Sequence, residues 1–140
     1  MPKRMLLALM LAGVVAGPAH AGPSPAQKDA RVYIIWPYNG TVIHGGKFWL
    51  RMGLQNMGLG PKGTDLPNVG HHHVIIDAEL PSMDEPIPSD RNHIHFGAGQ
   101  SEARIELPPG KHTLQLIMGD KDHIPFDPPV YSEKITVTVP

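Results

Sequence analysis

The residues best able to do chemistry are histidines, and they recur at one spacing. His71, His72 and His73 run into Val74-Ile75-Ile76 and stop at Asp77; His93 and His95 follow about twenty residues on, and His123 stands further along. In an extended strand, side chains alternate between faces, so His71 and His73 share one face with Ile75 and Asp77, while His72 takes the other with Val74 and Ile76. His93 and His95 repeat that two-residue step. Neutral imidazole is the commonest nitrogen ligand for copper, zinc and nickel. The expected metal ligands are therefore His71, His73, His93, His95 and His123, with Asp77 able to orient one of them. His112 reads as a capping or core residue, His44 as a surface residue in a glycine-rich turn.

The chemistry that is missing narrows the metal. The chain has no cysteine, which rules out disulfides, thiolate ligands and a blue-copper centre. No HExxH helix and no GxSxG elbow occurs, and no paired-carboxylate motif stands out, so the expectation leans away from an enzyme. Histidine nitrogens without thiolates suit Cu(II) first, on affinity order, and zinc second. The scattered methionines, Met52, Met57, Met83 and Met118, read as core filler, although soft enough for Cu(I).

The elements that must position these residues are short strands. Of 140 residues, sixteen are proline and fifteen glycine, which demands many turns. Extended segments are expected at 31–36, 41–43, 47–54, 70–77, 93–96, 101–107, 111–118 and 134–139, with 41–43 marginal, and no stretch has a helical period. About seven strands of this kind point to an all-β, immunoglobulin-like or cupredoxin-like antiparallel β-sandwich. In such a sandwich strands C and F are antiparallel neighbours. If 70–77 is C and 111–118 is F, His71 and His73 lie beside Met118, Asp120 and His123, and the 93–95 piece closes the cluster.

Residues 1–21 stand apart. Lys3 and Arg4, the apolar run 5–15 and Ala19-His20-Ala21 have the form of a secretory signal peptide cleaved after Ala21. The expected organisation is thus a signal peptide (1–21), a flexible mature N-terminus (22–30) and one β-sandwich domain (31–140). That implies export to the periplasm or beyond, with no membrane anchor in the mature form. Thirteen acidic against twelve basic residues leave a net charge of −1, with no basic patch to suggest nucleic acid.

Four groups of residues in fixed order are similar to a known family. They are Gly70-His71-His72-His73 through Asp77; His93-Ile94-His95-Phe96-Gly97 with Gln100-Ser101-Glu102; Leu107-Pro108-Pro109-Gly110-Lys111-His112-Thr113-Leu114; and His123-Ile124-Pro125 with Pro128-Pro129 before Ser132-Glu133-Lys134. Together they resemble the DUF4399 family, small exported bacterial proteins of no assigned function. The resemblance covers roughly residues 31–139 and implies an exported β-domain without supplying an activity. The residues themselves lead to an exported metal-binding protein, expected to carry copper, that buffers the ion or delivers it to another exported metal-handling protein. The competing expectation is an immunoglobulin-like interaction module whose histidines are structural.

Overall fold

The computed structural model describes residues 22–140, and the expected signal peptide lies outside the described residues. Nine strands form among them: β1 (Arg31–Trp36), β2 (Thr41–Val42), β3 (Lys47–Gln55), β4 (Gly58–Leu59), β5 (Val69–Ile76), β6 (His93–His95), β7 (Glu102–Glu106), β8 (Gly110–Gly119) and β9 (Ile135–Val139). Two sheets result, one ordered β1-β3-β7 and the other β2-β9-β8-β5-β4, with β6 also pairing to β5. The long pairings are antiparallel; the two-residue strands β2 and β4 run parallel to β9 and β5. In immunoglobulin lettering, A, B and E face G, F and C, with β6 at the C′ edge. The protein is an immunoglobulin-like β-sandwich. The strand missed in the sequence was β4, whose two residues lie within a glycine- and proline-rich loop.

Period-two alternation builds the core. Val32 of β1, Phe48, Leu50 and Met52 of β3 and Ile105 of β7 face Val74 and Ile76 of β5, Leu114, Leu116 and Met118 of β8, and Val137 and Val139 of β9. Each such side chain contributes about 1.5–3 kcal/mol by leaving water. Strands β5 and β8 are unusual in being buried on both faces. The outer face of this pair is covered by the crossover between β5 and β6, where Ile87 packs on Ile75 and Ile117, with Ala78, Leu80 and Met83 around them. That second cover explains the unbroken apolar runs Val74-Ile75-Ile76 and Leu116-Ile117-Met118, where a strand wet on one face would alternate.

The proline-rich crossover has no strand between residues 77 and 92, as expected, yet it is a packed layer rather than a free loop. Residues 22–30, expected to be flexible, are also tied down. Ser24 hydrogen-bonds Asp120, Pro25 bridges to Asp127, and Ala26 packs on the core. No helix among the described residues is long and apolar enough to cross a membrane.

Candidate metal centre

The outer face of β5 carries His71 and His73. Antiparallel pairing sets His71 opposite Gly119 of β8, and His73 between Ile117 of β8 and His95 of β6. Directly opposed residues point to the same side of a sheet, so His95 joins the two β5 imidazoles. Glycines make the room. A Cβ at Gly119 would lie 2.7 Å from His73 Nε2, and one at Gly97 would lie 2.4 Å from His95 Cε1.

The fourth imidazole comes from the loop after β8. Asp120 Oδ1 accepts hydrogen bonds from the Asp122 and Ile124 N–H groups at 2.9 and 3.0 Å. The His123 N–H donates to the Asp120 carbonyl, the Asp120 N–H to the Ile124 carbonyl, and the His123 carbonyl accepts from Ile87 N–H. This tight turn holds His123 at φ +66°, a left-handed backbone uncommon outside glycine.

Four rings therefore meet. Centroid separations are 4.9 Å for His71–His73, 4.8 Å for His71–His95, 4.8 Å for His73–His95, 5.1 Å for His71–His123, 4.5 Å for His95–His123 and 6.0 Å for His73–His123. One ring nitrogen from each of His71, His95 and His123 lies within 4.8 Å of the other two. Nitrogens bound to one tetrahedral ion at 2.0–2.1 Å stand roughly 3.3 Å apart, so small ring rotations would close the set.

The electrostatics favour the neutral form of His71, His73 and His95. Burial, aided by His95 and His123, pushes His71 down to about 4. Burial and then the neighbouring His71, His95 and His123 push His73 down to about 2. His95 is also lowered, by burial first, then by His123 and Lys62. Neutral imidazole is the ligating form. His71 Nε2, both nitrogens of His73 and His95 Nε2 are buried with no hydrogen-bond partner in the protein. Buried polar atoms without partners are few in folded proteins, and each costs about 1–3 kcal/mol, so several together call for an explanation.

The remaining histidines lie elsewhere. His93, expected to be a ligand, is on the outer face but opposite Ile75, one two-residue step beyond His95. Its Nδ1 is 2.8 Å from Asp90 Oδ1, and its ring contacts none of the four. A step of that length is about 6.5 Å, too far for both rings of the pair to meet His73. His72 points into the core opposite Met118, fully buried and without a partner, and burial pushes it down to about 4. Met118 is accordingly on the wrong face to join the cluster, contrary to expectation. Asp77 does orient a histidine, but that histidine is His112, at 2.6 Å. His44 is exposed, as expected.

Three contributors escaped sequence reasoning: the two space-making glycines and Ile87. Asp120 was expected near the cluster, but its turn-forming role was not foreseen. Asp at the first position of Asp120-Lys121-Asp122-His123 is a recognisable turn former. Nothing local marks Gly119 as the residue opposite His71.

Among solved structures, fibronectin(III)-like modules of Clostridium thermocellum CbhA are similar at 14% identity, with a TM-score of 0.37, covering 77% of this chain and 92% of that one. No curated protein matches the sequence. A family model described as a domain of unknown function matches residues 50–140, a span that includes all four clustered histidines, and the chain therefore belongs to the DUF4399 family.

Proposed function

We propose that this protein is an exported metal-binding protein that holds one transition-metal ion on His71, His73, His95 and His123, copper first and zinc second. The observation that carries the proposal is the convergence of four imidazoles, three of which, His71, His73 and His95, have buried nitrogens without hydrogen-bond partners. A structural role would favour bonded imidazoles, as at His112. Bound to such a set, the ion would satisfy the nitrogens that the fold leaves unpaired.

The donor set guides the choice of metal. It offers nitrogen only, because the chain lacks cysteine and Met118 faces the core. Nitrogen donors favour Cu(II) over Zn(II) on affinity and give Cu(I) no soft ligand. His95 and His123 are half-buried, leaving one side of the site near solvent, which suits loading and release. Buffering the ion, or passing it to another exported metal-handling protein, is the role consistent with that side. The signal-peptide pattern of residues 1–21 supports export, and a chain recovered outside the cytoplasm beginning at Gly22 would test it.

The direct test is calorimetric titration of untagged protein with Cu(II) and Zn(II), with elemental analysis of the product. One ion per chain at sub-micromolar Kd is expected. His71→Ala and His95→Ala should each weaken it by more than about 100-fold, since even the outer partners of metal ligands typically contribute 10–100-fold. Weak, non-stoichiometric binding that these substitutions leave unchanged would assign the histidines a structural role.

A further inference from the structure

His123 is the one clustered imidazole not carried by a strand. Its place depends on the Asp120 turn, and half of what holds the Asp120 carboxylate comes from far away in sequence. Asp120 is 2% exposed. Its Oδ1 binds within the turn, while Oδ2 accepts from Ser24 Oγ at 2.7 Å and Ser24 N–H at 3.3 Å. The chain around Ser24 then continues along the segment that follows His123. The Asp127 N–H donates to the Ser24 carbonyl, and the Ala26 N–H to the Asp127 carbonyl, both at 3.0 Å.

We infer that Ser24 is a positioning residue of the metal centre: the segment 24–26 straps down the Asp120 turn, and through it sets His123. This rests on the metal reading above. The physical argument is that a left-handed His123 has no strand ladder to hold it. Four donors on one buried carboxylate fix that turn instead, two of them from the strap. An ion that engages His123 must favour the docked strap, and a docked strap must favour the ion, by the same factor. The N-terminal segment is thereby linked to metal affinity without touching the metal.

The test combines affinity with a background in which His123 is absent. In the full chain, Ser24→Ala should weaken Cu(II) binding several-fold, and Asp120→Asn by about 10–100-fold, the usual range for residues that orient ligands. Ser24→Thr, which keeps the hydroxyl, should restore most of the affinity. In His123→Ala protein, Ser24→Ala should have no further effect. The Cu(II) resonance spectrum of Ser24→Ala should move toward that of His123→Ala. Metal should also slow hydrogen exchange at the Ser24, Ala26 and Asp127 amides. A parent chain with no stoichiometric site would overturn the metal reading and this inference together. A parent site that Ser24→Ala and Asp120→Asn leave within twofold would overturn this inference alone. So would a Ser24→Ala loss of equal size in the His123→Ala background, which would mark an effect on the fold.

Discussion

The two ends of the β5–β8 pair hold histidines in opposite states. At one end His71 and His73 meet His95 and His123; His71, His73 and His95 have lowered pKa values and buried nitrogens that no protein group satisfies. At the other, His112 has Nδ1 2.6 Å from Asp77 Oδ2 and Nε2 2.8 Å from the Pro108 carbonyl. The carboxylate and the carbonyl both accept, so both ring nitrogens can donate when the ring is protonated. The Asp77 hydrogen bond raises its pKa above 6.5, against the opposing effect of burial. Asp77 itself sits at φ +54°, ends β5 and also takes the Thr113 N–H, so the pair ties strand end to strand. Burial is common to both ends; the partners differ. A histidine given acceptors is a structural bolt, and histidines given only one another are held with lone pairs free.

The largest expected consequence is a stability curve bent in opposite directions by the two ends. His71 and His72, at about 4, and His73, at about 2, refuse protons that the unfolded chain accepts below 6.5. Their burial therefore carries no protonation penalty above pH 6.5, and stability falls as pH drops from there toward 4, by up to about 1.4 kcal/mol per pH unit for each histidine. His112 has the reverse sign. Its contribution is full below 6.5 and is lost as pH rises through its raised folded value. Urea unfolding of metal-free protein from pH 4.5 to 9 should show the acid slope in the parent and a reduced alkaline decline in His112→Ala. A flat profile between pH 7 and 5 would contradict the neutral burial of the cluster.

A smaller effect should separate the ends by function. Asp77→Asn removes the charge from the His112 pair and should cost roughly 1.5–3 kcal/mol, the range for hydrogen bonds to charged groups. Metal affinity should stay within twofold of the parent; a large loss would show that the two ends are coupled through β5. The smallest effect is expected at His93, whose partner Asp90 is exposed. His93→Ala should change stability by about 1 kcal/mol or less. It should also leave stoichiometry at one ion per chain, and a lost site would return His93 to the ligand set.

Much of this protein is legible in its chain. Period-two alternation, Pro and Gly punctuation and the lack of any helical period suffice for the sandwich and for most strand positions. The face shared by His71 and His73 follows from the same alternation, because side-chain direction in a strand is a local property. The C-to-F adjacency of β5 and β8 followed from the fold class and placed Asp120 and His123 near that face. Other decisions were tertiary. Alternation puts His93 and His95 on one face but cannot say which of them lies opposite His73; the register of β6 on β5 decided for His95. The register of β8 on β5 set Met118 opposite His72, facing inward. The outer cover by Ile87, and the strap from Ser24 to Asp120, join residues 96 or fewer positions apart that carry no mutual sequence signal. Local residue types determine which way a side chain points from its own strand. Only the packed fold determines what stands opposite it, and so which histidines are bolted down and which are left free to bind.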